Sequence, residues 1–141
     1  MRRAEALAPL SRQHHQGLFV ALRLKRADPA SAAAARETFL EFWRGEGNAH
    51  FRAEEELLLP AFARRGAHDH PAVARVLVEH VDLRSRAADL ERAEQPDLEQ
   101  LHELGARLEA HIRHEERVLF PLIEETLPPD ELEEAMRESG H

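Results

Sequence analysis

The sequence predicts an all-α fold, an up-down-up-down antiparallel four-helix bundle followed by a short C-terminal helix. Three observations predict it. Ala, Leu, Glu and Arg dominate the 141 residues, while Tyr is absent and strand-favouring residues are few. Four long segments carry apolar residues in steps of three and four. The connections between them are short, which makes consecutive helices antiparallel neighbours. The length suits one domain, 1–141, with its own core and a short acidic tail over about 128–141.

The first helix is expected over about 9–27, ending at Asp28-Pro29. Counted from His15, Leu18, Phe19 and Leu22 fall at i+3, i+4 and i+7, so His15 is read as the inward histidine of this helix. His14 has only Leu18 and Ala21 at comparable positions and stays the alternative. The second helix is expected over 31–65, with Phe39, Trp43, His50, Glu54, Leu57 and Ala61 on one face. Gly45 and Gly47 weaken its middle and Pro60 removes a backbone donor, which predicts a kink or a break. After a loop over 66–71, a third helix is expected over 71–94 with Val73, Val76, Leu77, His80, Leu83, Ala87 and Leu90 inward. Gln95-Pro96-Asp97 turns the chain. The fourth helix, 97–127, has Leu101, Leu104, Leu108, His111, Glu115, Leu119 and Leu122 on its stripe. His80 and His111 are nearly equidistant from their shared turn, so antiparallel packing places them side by side. Asp130 can cap a short acidic helix over 130–138, read as a lid or a frayed tail.

Helices two and four contain an internal repeat. His50-Phe51-Arg52-Ala53-Glu54-Glu55-Glu56-Leu57-Leu58-Leu59-Pro60 returns as His111-Ile112-Arg113-His114-Glu115-Glu116-Arg117-Val118-Leu119-Phe120-Pro121. In each copy a His is followed four residues later by a Glu, one helical turn away on the same face, so imidazole and carboxylate can converge on one point. Two such helices facing each other present two His and two Glu. Those donors suit divalent first-row metals, and a carboxylate has two oxygens with which to bridge a pair of ions. Buried carboxylates need compensation, which a cation provides. The sequence therefore reads as a metal-binding bundle, with His15, His50, His80 and His111 on four separate stripes.

Other polar groups are assigned elsewhere. Glu99 and His102 have Glu-x-x-His spacing, but His102 follows the core residue Leu101 and the motif is not duplicated, so a solvated face is expected. Glu55, Glu56 and Glu116 are expected at the surface or supporting the site beside Arg residues, and His114 at the surface or in support of it. His68 and His70 are read as loop residues, and His141 as terminal.

Composition excludes several functions. The net charge of −8 argues against a nucleic-acid partner, because phosphate binding needs a basic face. The absence of Cys rules out disulfides, thiolate metal sites, iron–sulfur clusters and cysteine nucleophiles. No run of eighteen apolar residues marks a membrane span, and no apolar stretch follows Met1-Arg2-Arg3, so a cytoplasmic location is expected.

His15/Leu18 and His80/Leu83 on helices one and three, with His50/Glu54 and His111/Glu115 on helices two and four, resemble the hemerythrin-like (HHE cation-binding) family over nearly the whole chain. The resemblance implies a hemerythrin-like bundle around two iron ions, a non-haem di-iron centre. His15 and His50 would hold one iron, His80 and His111 the other, and Glu54 and Glu115 would bridge. Leu18, Phe19, Leu22, Trp43, Phe51 and Leu108 would line an apolar pocket. The sequence departs from the oxygen carriers at Val76, where they place a fifth His, and at Glu115, where they place an Asp one residue later. Fewer ligands leave more open coordination positions, which favours redox chemistry or sensing over oxygen carriage. The expected function is binding, sensing or reducing dioxygen or a related ligand such as nitric oxide or peroxide. The alternatives are a peroxide-consuming or ferroxidase-like enzyme and a metal-stabilised interaction module. The same donors accept Mn or Zn.

Overall fold

The computed structural model describes residues 3–137. A 3-10 turn, Glu5–Leu7, leads into α1, Ala8–Lys25, which has a proline in its first turn where the missing N–H costs nothing. Helix α2 runs over 32–67. Its α-helical stretches Ala32–Phe42, Asn48–Ala53 and Leu59–Phe62 alternate with π-turns at Trp43–Gly47, Glu54–Leu58 and Ala63–Ala67. Helix α3 is Pro71–Arg92, with the His70 imidazole accepting from the Ala72 N–H as its N-cap. Helix α4 runs over 98–126, Leu98–His114 and Phe120–Thr126 being joined by the π-turn Glu115–Leu119. The Asp97 carboxylate caps it, accepting from the Glu99 N–H. Helix α5 is Pro129–Arg137. No helix among the described residues is long and apolar enough to cross a membrane.

The predicted break in helix two is absent, for a reason visible in both copies of the repeat. The Leu59 N–H bonds to the Glu54 carbonyl, and the Phe120 N–H to the Glu115 carbonyl, each spanning five residues instead of four. Each π-turn begins at the repeat's Glu and ends two residues before its Pro. The extra residue is absorbed as a local widening and the helix continues, in the manner of π-turns at functional sites.

The core consists of two apolar clusters. One joins Val20, Ala21 and Leu24 of α1 to Phe39 and Phe51 of α2, Leu83 and Leu90 of α3, and Leu101 to Ile112 of α4. The other joins Leu7 and Leu10 to Leu58, Phe62, Val73, Val76, Leu119 and Ile123, and is covered by Leu132 and Met136 of α5. Between these clusters lies a layer of buried His and Glu. Helix α5 is thus a packed cap over residues 129–137, not a frayed tail; residues 138–141, including His141, lie outside the described residues.

Helix α1 is rotated relative to the expected face. Phe19 is 55% exposed and Leu22 is 38% exposed, whereas Leu10, His14, Gly17, Ala21 and Leu24 are buried. The reason is close packing. A Cβ added to Gly105 would stand 2.7 Å from the Ala21 carbonyl oxygen, so α1 and α4 meet through small residues. On α3, Leu77 also departs from its expected stripe and is exposed.

Candidate metal centre

Six side chains from four helices meet in the polar layer: His14 of α1, His50 and Glu54 of α2, His80 of α3, and His111 and Glu115 of α4, all buried. Five were predicted from the sequence. The sixth corrects the expectation on helix one: His15 is exposed and outside the cluster, and His14, 3% exposed, occupies the inward place.

The six form two overlapping groups. His14, His50, Glu54 and Glu115 make one, and Glu54, His80, His111 and Glu115 the other, with candidate ligand atoms within 4.8 Å of each other in each. The carboxylates divide between the groups. Glu54 turns Oε2 to His50 at 3.0 Å and Oε1 to His80 at 3.1 Å. Glu115 turns Oε1 to His14 at 2.8 Å and Oε2 to His111 at 3.0 Å.

Every imidazole points Nε2 inward and is held from outside at Nδ1. The Nδ1 of His14 faces Glu116 Oε2 at 2.5 Å, and that of His50 faces Gln13 Oε1 at 2.7 Å. The Nδ1 of His80 faces Glu55 Oε2 at 2.6 Å, and that of His111 faces Glu79 Oε1 at 2.7 Å. All four partners are acceptors, so each Nδ1 donates, and each ring that gives up its Nε2 proton to a metal presents that lone pair inward. Each partner sits beside a cluster residue in sequence yet serves the His of the next helix: α1 supports α2, α2 supports α3, α3 supports α4, and α4 supports α1. Glu55 and Glu116 were expected to be surface or supporting groups. Gln13 and Glu79 were missed, and their only sequence signal is adjacency to His14 and His80.

Arginines back three of the four. Arg3 reaches Glu116, Arg84 reaches both oxygens of Glu55, and Arg75 reaches Glu79. Arg84 also lies over the Trp43 and Phe51 rings, and Phe51 stacks on His80 with centroids 3.8 Å apart.

The inner atoms fit a cation. The Nε2 atoms of His80 and His111, Oε1 of Glu54 and Oε2 of Glu115 are buried and have no hydrogen-bond partner, although they approach one another at 3.0–3.5 Å. Converging donors left unpaired in this way are the arrangement a metal ion completes. The electrostatics agree. Burial pushes His50 down, but Glu54 and Glu115 more than reverse that and raise it to about 10. His111, also opposed by burial, is raised to about 10 by Glu115 and Glu79, and His80 to about 9 by Glu115 and Glu54. Burial pushes Glu115 up, yet His111, His14 and His50 hold it well below the usual carboxylate range. The layer draws positive charge to its centre, which a divalent ion supplies while leaving the imidazoles neutral.

A small apolar cavity adjoins the cluster. Gln13, His14, His50 and His111 meet Phe39, Phe42, Trp43, Leu83 and Leu108 around it, with about 20 Å³ for the centre of a water-sized molecule. Trp43, Phe51 and Leu108 line it as expected, whereas Phe19 and Leu22 face outward. His102 plays a structural part, its Nε2 donating to the Ala27 carbonyl at 2.7 Å.

Comparison with curated proteins gives no match, nor does comparison with solved structures. A family model, the hemerythrin HHE cation binding domain, matches residues 8–123, from the start of α1 to near the end of α4. That span includes all six clustered side chains and all four of their outer partners, and the chain belongs to the hemerythrin HHE cation-binding domain family.

Proposed function

We propose that the protein is a non-haem di-iron protein that binds, senses or reduces a small ligand such as dioxygen, nitric oxide or peroxide. The observation that carries this reading is the sharing of Glu54 and Glu115 between two histidine pairs, one oxygen of each carboxylate turned to each pair. His14 and His50 would hold one ion, His80 and His111 the other, and the two carboxylates would bridge them. Iron in both positions would supply one-electron redox chemistry beside the cavity, which manganese shares only in part and zinc lacks.

The chain's own residues prepare that chemistry. The outer acceptors fix the orientation of each imidazole, with Nδ1 donating outward, before any ion arrives. Phe39, Phe42, Trp43 and Leu108 keep the adjoining cavity apolar and sized for a very small molecule. Among the described residues, its polar lining consists of Gln13 and the three histidines already assigned to the ions. No separate acid or base stands in it to pass protons through repeated turnovers, which favours binding and sensing over a peroxidase or ferroxidase.

Elemental analysis after anaerobic loading with ferrous ion tests the reading. A value near two ions per chain is expected; one or none overturns it. Sustained peroxide turnover that disappears in His111→Ala would assign the protein to the enzymes instead. Identical folding after chelation with no uptake of redox metal would mark an interaction module.

A further inference from the structure

The ring of outer partners has one member unlike the rest. Three histidines donate from Nδ1 to carboxylates, Glu116, Glu55 and Glu79, each in turn paired with an arginine. His50 donates to the neutral amide oxygen of Gln13 at 2.7 Å. A carboxylate at this position makes the imidazole a stronger donor through its far nitrogen, because negative charge at one end of the ring raises basicity at the other. An amide supplies the hydrogen bond without the charge.

The two histidine pairs are therefore unequal. His80 and His111 are both supported by carboxylates, whereas the other pair has one carboxylate-backed ring, His14, and one amide-backed ring, His50. We infer that Gln13 makes the His14/His50 position the weaker of two metal positions, so that the His80/His111 position fills first and the protein takes up divalent ions in two separated steps. This rests on the two-ion reading above. Glu54 and Glu115 contribute one oxygen to each group, so the bridging carboxylates do not create the difference.

Two substitutions act in opposite directions. Gln13→Glu gives His50 the partner that the other three histidines have, and tightens the weaker step. Glu55→Gln gives His80 the partner that His50 has, and loosens the stronger one. Replacing such an outer partner changes metal affinity by about 10- to 100-fold, and each change is expected in one step only.

The experiment is an anaerobic titration of the full chain with Co(II) at fixed pH against a chromophoric chelator. Proton NMR of the shifted exchangeable imidazole N–H resonances is recorded at one and two equivalents. In the wild type two of the four Nδ1–H signals shift at the first equivalent, and these are the ones perturbed by Glu55→Gln and Glu79→Gln. Gln13→Glu moves the second step toward the first and leaves the first in place. Gln13→Leu, close in volume, loosens the second step further and serves if the charged variant folds poorly in thermal melts. A second step unmoved by both Gln13 variants, or both steps moving together, overturns the inference while two ions still bind. Uptake of fewer than two Co(II) ions removes the two-ion reading and the inference with it.

Discussion

At the scale of the residue, the decisive choice is between two adjacent histidines. His14 and His15 are about 100° apart around a helix, so only one can enter the centre. His14 places Nε2 2.8 Å from Glu115 and Nδ1 2.5 Å from Glu116, and its ring stacks on Phe120. His15 is exposed. On the proposed two-ion reading, His14→Ala is expected to lose at least one ion and His15→Ala to keep both, as measured by metal analysis of the purified variants. Loss of metal in His15→Ala with full loading of His14→Ala would reverse the assignment. Glu54→Ala and Glu115→Ala each remove an oxygen from both groups, so each is expected to abolish paired loading rather than halve it. His114 is buried with neither ring nitrogen hydrogen-bonded among the described residues, and it belongs to neither group.

At the scale of the element, the position of α1 against α4 decides which α1 residue faces the centre. Their contact depends on Gly17, Ala21 and Gly105, and a Cβ at Gly105 would meet backbone oxygen at 2.7 Å with Leu24 and Lys25 carbons at 2.9 Å. Backbone cannot step aside as a side-chain tip can. Gly105→Ala therefore sets a packing cost of about 1–3 kcal/mol against a gain in helix propensity of about 1 kcal/mol, with net destabilisation and reduced metal loading expected. Gly45 gives the contrast, because nothing lies within 4 Å of an added Cβ there. Gly45→Ala is expected to stabilise by roughly 0.5–1 kcal/mol. Denaturant unfolding of the two metal-free variants measures both, and destabilisation of equal size at the two sites would refute the close-packing account. The same contact explains why the apolar stripe of α1 was misread. Hydrophobic periodicity locates a buried face by the contrast of large apolar side chains with polar ones. Here the buried face mixes Gly17 and Ala21 with Leu10, Val20 and Leu24, while Phe19 and Leu22 stand outside, so the contrast is blurred.

At the scale of the whole molecule, two apolar clusters enclose a layer of four histidines and two carboxylates, a layer costly to bury without a cation. A metal that binds the folded chain and not the open one links loading to stability. At free metal a hundredfold above Kd, each site contributes about 2.7 kcal/mol, a rise in Tm on the order of 5–10 °C for a chain of this length. Calorimetry with metal and after chelation measures it, and equal melting in both states would show that the layer is stable on its own. The sequence by itself determined the helices, their antiparallel order and the pairing of His80 with His111. It also determined the repeated His-x-x-x-Glu, because all of these follow from periodicity and from distance to a shared turn. Tertiary structure alone decided the rotation of α1, and with it His14 over His15. It also decided the π-turns that begin at Glu54 and Glu115, with α2 and α4 continuing past their prolines, and the outer ring in which each helix supports the histidine of the next. The physical reason is common to all three. Spacing along one helix is fixed by 3.6 residues per turn, whereas the contacts between helices depend on rotation, offset and closeness of approach, which only the packed whole sets.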